Sequence, residues 1–173
     1  MEELRKFDRL TEIDERHELL ARVTGQLLDI EKLHNVVSNE ILTSGVPEDI
    51  HGQYNVARNM AVYTYYLYSL APEVHMKTYA VMEMGVRRYY GDDEQTNLKA
   101  LLQKALDRGV ISDSGFRDCE SACGTSYTQT FVDTFPKLRN SAAHGSSMLV
   151  PHCVGHIRRC ADFLNQLFPA EAC

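Results

Sequence analysis

The sequence predicts an all-α protein, a single-domain antiparallel bundle of five to six helices that occupies residues 1–173. Three observations support this prediction. Apolar residues recur at spacings of three, four and seven through most of the chain, which is the pattern of amphipathic helices. No segment shows the strict alternation of a strand or a hairpin turn closed by glycine. A chain of 173 residues without an internal repeat is long enough to bury one core of its own.

The N-terminal half shows a long helical stripe followed by two further helices. Apolar positions recur with helical spacing over residues 8–42, and Gly25 is a candidate point of division. The polar turn at residues 44–49 stops this stripe. Residues 51–70 resume the helical pattern. The next helix should run over residues 72–90, because it opens with a proline and is followed by a glycine, which suits a C-terminal cap.

The C-terminal half predicts shorter elements. Residues 98–106 form an amphipathic helix that a glycine ends, and residues 109–126 are expected to be a connector with one loose turn. Residues 128–135 are expected to be helical. Proline favours the first turn of a helix, so a new helix is expected over residues 136–144, with a glycine as its stop. The last helix covers residues 154–167.

Composition predicts a cytoplasmic protein. The five cysteines are an odd number in a chain that has room for its own core, so a disulfide framework is not expected. The first residues have mixed charge with no apolar stretch behind them, unlike a signal peptide. No apolar run is long enough to cross a bilayer, so no membrane partner is expected.

The charge distribution points to one segment where an anion would bind. The net charge of −6 argues against a general nucleic-acid binder. Residues 1–20 carry seven acids against four bases, whereas residues 134–161 contain no acid. The four bases of this second window are Lys137, Arg139, Arg158 and Arg159. We therefore expect an anionic ligand to meet the protein there.

The same window contains the run Arg139-Asn140-Ser141-Ala142-Ala143-His144, followed by Gly145. Histidine is the side chain that titrates near neutral pH without perturbation, and arginine supplies a permanent planar cation for a phosphate. On an ideal helix Asn140 and His144 share a face, whereas Arg139 and His144 differ by about 140° around the axis. Arg139 must therefore reach around the helix, or the helix must loosen at its end.

This run resembles the Arg-polar-x-x-x-His motif of HEPN domains, and its place near the C-terminus of an all-helical chain is also similar to that family. The resemblance implies a homodimer that brings two motifs together in one cleft. It also implies RNA cleavage by 2′-hydroxyl attack, with no metal and no cofactor. The catalytic residues would be Arg139, Asn140 and His144, and the residues that bind RNA would be Lys137, Ser141, Arg158 and Arg159.

HEPN-like proteins often occur in toxin–antitoxin or phage-defence systems, so the resemblance also implies an antitoxin as a possible partner. The alternative is a HEPN-like interaction module without activity, which binds a protein or a nucleotide through the same basic cleft. A third interpretation is a zinc site built from His144, His152 and His156. The window offers no carboxylate and no Cys-x-x-Cys pair, and this favours ordinary helical roles for His152 and His156.

Overall fold

A computed structural model describes residues 3–91, 96–119, 126–143 and 153–170 of the protein. Within these ranges the structure is all-helical, which confirms the predicted class. The described helices are α1 (Glu15–Thr24), α2 (Ile30–Ser38), α3 (Glu48–Tyr63), α4 (Ala71–Tyr90), α5 (Leu98–Asp107), α6 (Tyr127–Ala143) and α7 (Cys153–Leu167). None of them combines the length and the apolar character that crossing a bilayer requires.

The described residues form seven α-helices, so the prediction of five to six was too low. One reason is that the long N-terminal stripe is two helices. Gly25 ends α1 in the left-handed conformation, with φ of 73°, which glycine adopts without steric cost. Asp29 then starts α2, because its side chain accepts a hydrogen bond from the backbone N–H of Glu31.

The helix expected over residues 51–70 ends earlier than predicted, at Tyr63. The hydroxyl of Thr64 donates to the carbonyl of Ala61 in the last turn. The carbonyl oxygen of Thr64 lies 2.8 Å from the Nε2 atom of His17 in α1. This carbonyl therefore has a side-chain partner in place of the backbone N–H that a further helical turn would supply. A short 3-10 turn over Tyr68–Leu70 then leads into α4.

The helix break expected at Pro136 does not occur. Residues 127–143 form one helix, and Pro136 lies inside it. Proline does not begin a new helix here because the turns before it pack into the core. Phe131, Val132 and Phe135 are all buried. Packing of these side chains compensates for the hydrogen bond that proline cannot donate.

Helix α4 is the centre of the bundle and contacts α3, α5, α6 and α7. As predicted, it begins with a proline in its first turn and ends at Gly91, where φ is 62°. Gly85 lets α7 come close, since a Cβ atom there would lie 2.5 Å from a methyl carbon of Leu164. The contacts of Lys99 with Asp133 and of Gln103 with Gln129 show that α5 and α6 are antiparallel.

Candidate functional site

Four of the seven residues predicted for the site lie together in the last turns of α6. Lys137, Asn140 and Ser141 are exposed, and the Arg139 side chain is 41% exposed. Arg139 Nη1 donates a hydrogen bond to Asn140 Oδ1 at 3.3 Å. Asn140 is thus the predicted site residue that contacts Arg139, whereas Lys137 and Ser141 lie about 200° around the helix from it. His144 and Gly145 lie outside the described residues.

Arg139 is held by a residue that the sequence did not single out. Its Nε atom forms an ion pair with Glu83 Oε2 of α4 at 3.0 Å. The other carboxylate oxygen of Glu83 accepts from Arg87 Nε at 3.1 Å and from Arg87 Nη2 at 2.9 Å. Arg87 Nη1 donates in turn to the carbonyl of Thr96 at 3.0 Å. We call Arg87, Glu83, Arg139 and Asn140 the Glu83 cluster.

One sequence signal could have found half of this cluster. Glu83 and Arg87 are four residues apart, the spacing at which opposite charges meet on a helix surface. Their link to Arg139 is tertiary. Tyr79, one turn before Glu83, makes an edge-to-face contact with Phe135, one turn before Arg139, at 5.3 Å between ring centroids. The ring contact and the ion pair are thus successive contacts between α4 and α6.

The structure does not bring Arg158 and Arg159 to this site. Arg159 Nε donates to the hydroxyl of Tyr127 at 2.7 Å. Tyr127 begins α6, about 18 Å along an ideal helix axis from Arg139. Arg158 pairs with Glu40 at 2.9 Å and with Asp118 at 3.0 Å. Two arginines of the acid-free window, Arg139 and Arg158, are therefore paired in the fold with carboxylates from other parts of the chain.

The Glu40 side chain belongs to an ionic network that joins α7 to Arg117 and to the residues after α2. Arg117 Nε pairs with Asp162 at 2.7 Å and Arg117 Nη2 pairs with Glu40 at 2.5 Å. Both carboxylates are almost fully buried. A polar cleft of about 380 Å³ adjoins the network and is lined by Asn39, Ile41, Gly115, Arg117, Asp162, Asn165 and Gln166. Arg117 and Arg158 here face three carboxylates, those of Glu40, Asp118 and Asp162, so the network has no excess positive charge to attract a phosphate and serves to connect segments of the fold.

His156, one of the candidate zinc ligands, stacks on His75 of α4. The ring centroids are 3.6 Å apart and the planes differ by 18°. In-plane lone pairs of two face-to-face rings do not converge on one metal ion. Burial, reinforced by His75 and Arg159, lowers the pKa of His156 to about 3, so the ring is neutral at pH 7. The described part of the chain contains no group of three side chains arranged to hold a metal, and His144 and His152 lie outside it.

Chemically, the described part of the site offers a fixed but accessible cation with an amide beside it. Such a pair can bind a phosphate oxygen and orient the groups around it. Comparisons with protein-family models, with curated proteins and with solved structures find no match for the chain. A function can therefore be inferred only from the side chains of the site, above all Arg139, Asn140 and Glu83.

Proposed function

We propose that this protein is a metal-independent endoribonuclease of the HEPN type, which cuts RNA by attack of a 2′-hydroxyl on the adjacent phosphate. The observation that carries the proposal is the presentation of Arg139 and Asn140 at the accessible end of α6. The guanidinium is fixed by an ion pair at 3.0 Å and still 41% exposed. A cation that is held in place and is still accessible can stabilise the negative charge that develops on the phosphate during cleavage.

In this reaction the 2′-oxygen forms a bond to phosphorus and the bond from phosphorus to the 5′-oxygen breaks. The products are a 2′,3′-cyclic phosphate and a free 5′-hydroxyl. Arg139 would stabilise the charge on the phosphorane, and His144 would transfer a proton. Asn140 would orient the phosphate. Lys137 and Ser141 are also exposed, about 200° around α6 from Arg139, and would contact the RNA backbone on that side of the helix.

The reaction needs one group that accepts the proton of the 2′-hydroxyl and another that protonates the leaving oxygen. Each chain contributes one histidine in its motif. A homodimer that faces two His144 side chains across one cleft would supply both groups. We propose this composite arrangement, in a cytoplasmic toxin or phage-defence effector whose activity an antitoxin could restrain.

The alternative is an interaction module without activity. One observation favours it: α1 exposes the apolar side chains of Leu19, Leu20 and Val23, and Val23 is 86% exposed. Monomeric proteins tolerate single exposed apolar residues, but a group on one helix is typical of a surface that contacts another molecule. This module would bind a protein or a nucleotide without cleaving RNA.

Incubation of the purified protein with a labelled single-stranded RNA in excess EDTA distinguishes the two functions. We expect cleavage by the wild type and a loss of roughly 100-fold or more in Arg139→Ala and in His144→Ala, because each variant removes a group that acts in the transition state. Arg22→Ala, which changes an exposed arginine of α1, is the matched control and should cleave normally. Arg139→Lys should remain impaired, since an ammonium lacks the planar fork. Absence of cleavage at every protein concentration would favour the interaction module.

A further inference from the structure

We propose that Glu83 is a positioning residue for Arg139, an inference that rests on the proposed function. Glu83 does not itself contact the RNA. It orients the guanidinium of Arg139, which does. The position of Arg139 on α6 leaves the direction of its long side chain open, and the ion pair with a carboxylate of α4 fixes that direction.

The contacts of Glu83 are divided between its two oxygens. Oε1 receives two hydrogen bonds from Arg87, at 3.1 and 2.9 Å, which fix the carboxylate on α4. Oε2 is left for the Nε side of Arg139, at 3.0 Å. With Nη1 also bound to Asn140, the guanidinium is restrained from two sides. Nη2 and the second hydrogen of Nη1 have no acceptor among the described residues and can donate to a phosphate.

The exposure of the charged groups in the cluster supports positioning rather than neutralisation. Two guanidinium groups contact the single carboxylate of Glu83. The side chains of Arg87 and Glu83 are only 15% and 16% exposed, whereas that of Arg139 is 41% exposed. An approaching phosphate therefore meets the charge of Arg139 first. Because the carboxylate is already held by Arg87, orienting Arg139 costs no reorganisation of α4 when the substrate binds.

A positioning role and an inhibitory role predict opposite results. If Glu83 only masked the charge of Arg139, its removal would release the cation and raise activity. If Glu83 orients Arg139, its removal leaves Arg87 and Arg139 as two like charges without a common partner, and the guanidinium moves. A displacement of about 1 Å at a reacting group can lower a rate by up to roughly 100-fold.

The test is a double-mutant cycle on RNA cleavage with the full chain. The variants are Glu83→Ala, Glu83→Gln, Arg139→Ala and the Glu83→Ala/Arg139→Ala double variant. Glu83→Gln keeps the shape of the side chain and one acceptor oxygen, so it tests the charge in a folded protein. Glu73→Ala removes an exposed glutamate of the same helix and serves as the matched control. Thermal unfolding of each variant verifies that it is folded.

We expect Glu83→Ala to lower kcat by about 10- to 100-fold with little change in KM, and Glu83→Gln to lie between it and the wild type. The double variant should be no slower than Arg139→Ala, because Glu83 acts through Arg139. Equal or higher activity in Glu83→Ala, or a double variant slowed by the product of the single effects, would overturn the inference while leaving the ribonuclease intact. A wild-type protein that does not cleave RNA would instead refute the proposed function, and the inference with it.

Discussion

Acidification should destabilise this protein through His75 and His156, the two rings that stack between α4 and α7. Burial lowers the pKa of His75 to about 4, and Arg159 adds to this effect. Burial also lowers the pKa of His156 to about 3, with smaller contributions from His75 and Arg159. Within the described part of the chain, His75 Nε2 and His156 Nδ1 are both buried without a hydrogen-bond partner, so no described acceptor stabilises a proton added at either atom.

The sign follows from the direction of these shifts. Both folded-state pKa values lie below the ordinary value of 6.5, so the unfolded chain takes up protons first as the pH falls. Well above pH 6.5 the two rings do not lower the free energy of unfolding. The loss of stability grows as the pH decreases from 6.5 toward 4. At pH 5 the unfolded histidines are charged and the folded ones are not, which costs up to about 2 kcal/mol for each ring and about 4 kcal/mol for both. This is a large part of the roughly 5–15 kcal/mol that stabilises a typical domain.

Urea unfolding at pH 7.5, 6.0 and 5.0 measures this loss directly. His156→Phe keeps an aromatic ring against His75 but removes its titration, so about half of the pH dependence should disappear. His34→Ala, which changes an exposed histidine of α2, is the matched control. Equal stability of the wild type at pH 7.5 and 5.0, or the same loss in the wild type and in His156→Phe, would refute the reasoning.

Three further substitutions test the fold. Arg117→Ala should lower the free energy of unfolding by about 2 kcal/mol in urea titrations, because it leaves the buried carboxylate of Asp162 without its cation. This is less than the roughly 3–5 kcal/mol of a fully buried pair, since the Arg117 side chain is 51% exposed. Pro136→Ala should raise the midpoint of thermal unfolding, since an interior proline costs a helix up to about 3 kcal/mol; a lower midpoint would contradict this. Gly45→Ala should be destabilised by about 2 kcal/mol, as its Cβ would lie 2.3 Å from the carbonyl oxygen of Pro169, and wild-type stability would argue against that close approach.

The local signals of the sequence located several helix ends correctly. Gly25 and Gly91 end α1 and α4 because both adopt positive φ, and a glycine at the end of a helical stripe indicates this conformation. Pro136 shows the limit of such a signal. Its effect on the helix depends on how strongly the neighbouring turns are buried, and burial is decided by residues far away in sequence.

The site was predictable in the same partial way. Lys137, Asn140 and Ser141 are exposed, and their action on RNA stays a prediction. The basic window could not be predicted as a surface, because Glu40 and Glu83, which pair with its arginines, are distant in sequence. A count of charges along the chain does not include such tertiary partners.

The most direct measurement for the central claim is the chemistry of the product ends. RNA cut by the wild type in EDTA should carry a 2′,3′-cyclic phosphate on one fragment and a 5′-hydroxyl on the other. A single 2′-deoxy nucleotide on the 5′ side of the cleaved linkage should abolish cutting there, because it removes the attacking oxygen. Both results should depend on Arg139 and His144. Fragments with 5′-phosphate ends, or equal cutting of the deoxy-substituted strand, would contradict the account.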